Sequence, residues 1–199
     1  MALLLVWFSF DIQSLDEHRA ELKPEVFDAA VFAGNYWNDI IPVCIEEAPE
    51  LTHLFGLLSD SPDKAFEQYG RKLGISKIFY FMLKGKGIIE KADREFIIVK
   101  VDENISVKIA TDFIYGNAVR DGSGKVNIDE FLNMTDFNLV SVALNKIVRD
   151  EVATPLGNNV KVGQQIEFAG AVEVNSEHVN LNELLIIPVL ARLSDGNTP

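Results

Sequence analysis

SKIFYFMLKGKGII, residues 76–89, is the stretch where the chain changes character. Before it, apolar residues recur at helical spacing; from it onward they follow the two-residue period of strands. The stretch itself is rich in aromatic and β-branched residues, and Gly85 and Gly87 stand where a strand bends or bulges. Downstream, REFIIVKV (94–101) reads as a second strand, closed by an Asp102-Glu103-Asn104 turn, and ISVKIATDFIYG (105–116) as a third. A helix opens at Thr135-Asp136, with Phe137, Val140, Leu144, Ile147 and Val148 on its apolar face, and Gly157-Asn158-Asn159 closes that segment. VGQQIEFAGAVEV (162–174) and LLIIPVLARL (184–193) are strands four and five, with Pro188 marking an edge or a bulge.

Upstream of residue 76 the pattern is helical. Pro24 suits a first helical position, and Phe27, Ala30, Val31, Trp37, Ile40 and Ile41 follow at near-helical spacing until Pro42. Val43–Glu47 and Glu50–Leu58 are further short helices. Ser61-Pro62 reads as a cap and first turn for a helix carrying Ala65, Phe66, Tyr69 and Leu73, with Gly74 as its C-terminal cap. The fold class is therefore α+β: an N-terminal helical lobe over 11–75, then a five-stranded OB-like β-barrel over 76–194 with a helix between strands three and four, and a polar tail at 195–199. A split sheet covered by one helix would present nearly the same order of elements.

Residues 1–10, MALLLVWFSF, carry no charge. Ten residues fall short of the ~20 that span a bilayer, and neither a basic stretch nor a small-residue cleavage site accompanies them. Two readings stay open, the end of a longer membrane anchor and a buried N-terminal strand or helix. The abrupt polar switch at Asp11 points to the anchor, which sets the expectation of an extracytoplasmic, membrane-anchored protein.

Composition removes several function classes. Among 199 residues, 48% are hydrophobic, enough for a core. The 30 acidic against 18 basic residues give a net charge of −12, which opposes binding to a nucleic-acid backbone. The single cysteine, Cys44, can close no internal disulfide, and His18, His53 and His178 are scattered, so no metal site, cofactor site or catalytic triad is called for. No nucleophile has an evident base, so no enzyme is expected.

Partial motifs remain. Over residues 119–130, Asp121, Ser123, Gly124, Asn127 and Glu130 fill positions 3, 5, 6, 9 and 12 of an EF-hand loop, but Val119 stands at position 1 and cannot ligate calcium. The alternative is a tight Asp-Gly-Ser-Gly turn followed by a short helix. Asn117, Arg120 and Asp121 place an amide, a guanidinium and a carboxylate at the mouth of strand three; they either bind a ligand carboxylate or sugar hydroxyls, or form a polar knot that pins the loop to the barrel. Asn145 and Arg149 share a face one turn apart. Tyr36 and Trp37 lie beside Asn35 and Asn38, the composition of a sugar-binding surface and equally of a helix packed on a sheet. The candidate ligand-binding set is Trp37, Asn117, Arg120, Asp121 and Asn145.

Several stretches together resemble one known bacterial family, that of predicted periplasmic lipoproteins, a domain of unknown function. They are Ser14-Leu15-Asp16-Glu17, Phe27-Asp28-Ala29 leading to Tyr36-Trp37, and Phe113 through Asp121. Asp136-Phe137 running to Leu144–Val148, and Val162-Gly163 leading to Phe168-Ala169-Gly170, complete the match. The resemblance implies a helical lobe joined to an OB-like lobe and an exported, membrane-tethered protein. It also implies a supporting role beside a sugar ABC-transport system. It carries over no catalytic residue. This chain lacks a lipid-accepting cysteine near its start, which favours an uncleaved helical anchor. The function expected is a non-enzymatic envelope accessory protein whose partner is a membrane transporter component or a small solute. The alternative is a sugar-like-ligand binder with its pocket between helical lobe and barrel.

Overall fold

The computed structural model describes residues 27–194. The apolar segment 1–10, the charged stretch after it, the start of the first helix at Pro24 and the tail 195–199 lie outside the described residues. Among the described residues four helices come first: α1 (Ala29–Asp39), α2 (Ile41–Glu47), α3 (Leu51–Asp60) and α4 (Pro62–Tyr69). Strands β1 (Ile78–Ala92), β2 (Phe96–Asp102) and β3 (Ile105–Ala110) follow. Next come α5 (Ala118–Ser123), α6 (Met134–Ile147), a π-helical turn (Val148–Ala153) and α7 (Thr154–Asn159), and then β4 (Gln165–Asn175) and β5 (Leu185–Ser194). The strands close in the order β1-β2-β3-β5-β4, all pairs antiparallel except the short β3–β5 pair.

The barrel closes because β1 is long enough to serve two neighbours. It pairs with β4 from Ile78 to Ile88 and with β2 from Ile88 to Ala92. Gly87 stands at the handover: a Cβ there would run into the Lys100 carbonyl oxygen and come within 2.6 Å of a Val99 methyl. A second irregularity sits where Gly170 faces Pro188 and the β4–β5 register slips. Pro188 therefore marks a bulge inside the barrel, one of its two expected settings.

Two cores result. Inside the barrel, Phe81, Leu83, Val99, Ile109, Phe168 and Val172 meet Leu51, Leu54, Leu58 and Phe66, by which α3 and α4 plug one end. Outside it, Met82, Ala169, Ala171 and Val189 receive α5 and α6, with Ala33, Tyr36, Ile41 and Cys44 of α1 and α2 packed into the same cluster. The early helices thus share both their cores with the barrel.

Four local expectations are corrected. The third strand stops at Ala110, not 116, because β5 pairs only with Lys108 and Ile109 and the chain then leaves the ladder. Its alternation persists without a strand: Ile114 is buried while Phe113 and Tyr115 stay 57% and 70% exposed. Helix α4 ends at Tyr69, not at a Gly74 cap, because Arg71 pairs through its backbone with Tyr80. The Ser61 side chain caps nothing; its carbonyl accepts from Lys64 and Ala65 instead. Helix α6 begins at Met134, one residue earlier than expected, capped by Asn133, whose side chain accepts from the Asp136 N–H and donates to its carboxylate.

Gly87→Ala is expected to destabilise the protein by about 2 kcal/mol through overpacking. Gly34→Ala, in α1 with open space around its Cα, is expected to stabilise it by about 0.5–1 kcal/mol. Urea unfolding of both variants measures the contrast.

Candidate functional site

The segment from Thr111 to Ser123 leaves the barrel and must satisfy its backbone by other means than a ladder. It does so in two places, a buried knot on α5 and an open groove beside it.

Helix α5 lies flat on β1 and β4, with Gly122 against the Phe81 carbonyl and the Ala171 methyl. This corrects the expected Asp-Gly-Ser-Gly turn: Asp121, Gly122 and Ser123 are helical, and only Gly124 turns, with a left-handed φ of 65°. From α5 the Arg120 side chain runs inward and is 1% exposed, beside an Asp121 side chain that is 5% exposed. Arg120 grips Asp121 with both arms, Nε to Oδ1 at 2.6 Å and Nη2 to Oδ2 at 3.1 Å. Its Nη1 donates to the Phe137 carbonyl at 3.0 Å, and its guanidinium lies 3.6 Å from the Phe137 ring centroid. Of the two readings open in the sequence, the geometry is that of a polar knot.

Ser123 extends the knot. Its hydroxyl donates to the Arg120 carbonyl and accepts from the Tyr36 hydroxyl, both at 2.5 Å. Burial pushes the Tyr36 phenol up to about 12, with the Ser123 contact acting the other way. Burial likewise raises the Cys44 thiol, whose sulfur lies 3.8 Å from the Ser123 carbonyl. Three of the EF-hand-like positions are thereby committed elsewhere. Asp121 and Ser123 belong to the knot, and Asn127 accepts from the Asp129 N–H in a short 3-10 turn. Among the described residues no group of three or more His, Cys, Asp or Glu is placed to hold a metal ion.

The groove, of about 720 Å³, runs between α6 with its π-helical turn and residues 114–117. Asn145 Nδ2 donates to the Gly116 carbonyl at 2.8 Å, and Arg149 Nη2 to the Ile114 carbonyl at 3.1 Å. Both side chains keep groups in reserve: the Asn145 Oδ1 and the other guanidinium N–H groups of Arg149 have no partner among the described residues. The Asn117 carboxamide has none either. Asn138 takes only a 3.4 Å contact from Arg120 on its oxygen, leaving its amino group. On the groove floor, the buried Ser141 hydroxyl has no hydrogen-bond partner. An unsatisfied buried hydroxyl costs about 1–3 kcal/mol, which a ligand or water can offset.

The structure thus brings Asn117 and Asn145 together and separates them from the other candidates. Arg120 and Asp121 are sealed in the knot. Trp37 lines no part of this groove; its Nε1 donates to Glu151 Oε2 at 3.0 Å and ties α1 to the π-helical turn. The clefts between early helices and barrel, about 250 Å³ beside Thr52 and Asn104 and about 60 Å³ beside Cys44 and Arg71, hold none of Trp37, Asn117, Arg120 or Asn145. Sequence reasoning missed Asn138 and Ser141. Their signal was the spacing 138, 141, 145, 149, a polar stripe at helical period beside the apolar one.

Residues 1–191 match the model of the family described as "Predicted periplasmic lipoprotein (DUF2291)", and the chain belongs to that family. The family description supports an extracytoplasmic location. Among solved structures, the chain is similar to the crystal structure of an OB-fold protein from Thermotoga maritima MSB8. The two are 23% identical with a TM-score of 0.78, over 85% of this chain and 100% of that one. That likeness shows the α+β, OB-like fold. No curated protein matches.

Arg120→Met leaves the Asp121 carboxylate buried and unpaired and is expected to cost about 3–5 kcal/mol. Adding Asp121→Asn is expected to recover at least about 1 kcal/mol of that loss, a coupling read by a double-mutant cycle in urea.

Proposed function

We propose that this member of the predicted periplasmic lipoprotein family is a non-enzymatic accessory protein of the cell envelope. It is tethered to the membrane through its apolar N-terminal segment and holds a small, sugar-like solute beside a membrane transporter component. The observation that carries the reading is the groove of Asn117, Asn138, Ser141 and Asn145, whose polar atoms exceed what the backbone around them uses. Carboxamides and hydroxyls, able to donate and accept at once, match the hydroxyls of a sugar. Tyr115, 70% exposed on the rim, supplies an aromatic face for its C–H side. The volume lies within the range of small-ligand sites.

The tether is supported by the uncharged first ten residues and by the family description. No described helix is long and apolar enough to cross a membrane. The association with a sugar ABC-transport system rests on the family resemblance. The net charge of −12 supports a role away from nucleic acid.

Calorimetric titration of the full chain with a panel of neutral hexoses and polyols is expected to find a binder. Asn117→Ala, which breaks no hydrogen bond within the described residues, is expected to weaken it about tenfold with an unchanged Tm. A panel in which nothing binds ends this reading. Separately, deletion of residues 2–10 is expected to move the protein from the membrane fraction to the soluble fraction, and retention in the membrane would refute the tether.

A further inference from the structure

Resting on the small-solute reading of the groove, we infer that its ligand is a polyhydroxylated monocarboxylate, of the aldonate or uronate type. The argument is one of charge count and geometry inside the groove. Two cations line it, Lys146 and Arg149, and one acid, Asp150. Lys146 and Asp150 are paired with each other, one turn apart, and cancel. Arg149 makes no ion pair among the described residues. The groove therefore carries one net positive charge on a molecule whose sum is −12.

That charge is also oriented. Donation from Nη2 to the Ile114 carbonyl anchors one arm of the guanidinium at the groove wall and leaves its remaining N–H groups without a partner among the described residues. A planar fork with free donors is the geometry that accepts a carboxylate through two parallel hydrogen bonds. The π-helical turn, which begins at Val148, carries Arg149 and Asp150 to the same groove wall. Helical irregularities of this kind recur at functional sites.

A bare anion would use only that fork. One guanidinium beside a paired carboxylate, on an acidic protein, is a weak trap for it, and the unpartnered groups of Asn117, Asn138, Ser141 and Asn145 would stay unused. A neutral sugar would use those groups and leave the fork empty. A single ligand that satisfies both needs hydroxyls and one carboxylate on the same short skeleton.

The test uses a matched pair, D-gluconate and D-sorbitol, which differ only in a carboxylate against a hydroxymethyl group, with acetate as the bare anion. Titrated calorimetrically into the full chain, gluconate is expected to bind about tenfold more tightly than sorbitol, and acetate far more weakly than either. The gluconate advantage is expected to shrink as salt is raised, while sorbitol binding stays level. Arg149→Gln, which keeps a donor for the Ile114 carbonyl, should bring gluconate down to the sorbitol affinity. Arg149→Lys, which keeps the charge and loses the fork, should fall between, and an unchanged Tm in both variants shows that the loop stays pinned. Equal affinities for gluconate and sorbitol, or a gluconate preference that survives Arg149→Gln, overturn the carboxylate inference and leave the solute groove standing. Acetate binding as tightly as gluconate overturns the polyhydroxylated class. Binding of none of the three overturns the inference and the groove together.

Discussion

A guanidinium buried away from water is strongly unfavourable unless its donors are used, and Arg120 uses them on Asp121 and the Phe137 carbonyl, with a longer contact to Asn138 Oδ1. Asp121 neutralises it, the Phe137 carbonyl takes an N–H that water would otherwise take, and the Phe137 ring covers its face. Each partner sits on a different structural commitment. Asp121 belongs to the helix lying on β1 and β4, and Phe137 to the helix that crosses from strand three to strand four. Through Ser123, the same knot reaches Tyr36 on α1. One charged side chain thus holds α5 and α6 together over the barrel, and α1 joins them through Ser123 and the Arg120 backbone carbonyl. A buried ion pair contributes little net stability against an apolar replacement, but it penalises every arrangement that leaves it unpaired. Its value here is positional.

The barrel sets where that knot can form. Because β1 hands over from β4 to β2 at Gly87, its first half presents Met82 outward under α5 while Phe81 and Leu83 point inward. The outer face of β4 is small-residue ground, with Ala169 and Ala171 turned toward the helices, so a six-residue helix can lie directly on the sheet with Gly122 against the Ala171 methyl. With that ground occupied by α5 and α6, the segment joining β3 to α5 has no strand to pair with and is pushed to the rim.

Much of this was legible in the sequence. The change of period at residue 76, the strand order and the crossing helix follow from apolar spacing, and that spacing is strong where a face is buried on one side only. What escaped was decided by partners distant in the chain. ISVKIATDFIYG alternates to its end, yet only Ile105–Ala110 finds a ladder, because β5 reaches just two residues of it. Asp121-Gly122-Ser123-Gly124 has the composition of a turn, and local propensity says so. Burial of Ala118, Val119, Gly122 and Ser123 against the sheet overrides it. Arg120 and Asp121 stood adjacent in the sequence, but nothing local tells whether such a pair faces a ligand or faces Phe137. Asn117, at the mouth of strand three, and Asn145, one turn from Arg149, were singled out from the sequence, and both line the same groove. Ser141, between two apolar positions of α6, carried too weak a signal alone.

The polarity of the groove is itself a consequence of the displaced segment. Beyond Thr111 the segment leaves the ladder, and two of its carbonyls are satisfied by side chains. Gly116 and Ile114 obtain Asn145 and Arg149 from the facing helix. A carboxamide and a guanidinium each bring more hydrogen-bonding groups than one carbonyl can absorb. Pinning the loop with these residue types, rather than with apolar packing, therefore leaves a surplus of oriented donors and acceptors at a concave surface. A solute whose own groups repeat the spacing of the surplus would satisfy it as a set, and this is the physical ground of the proposal that the expelled loop walls a site.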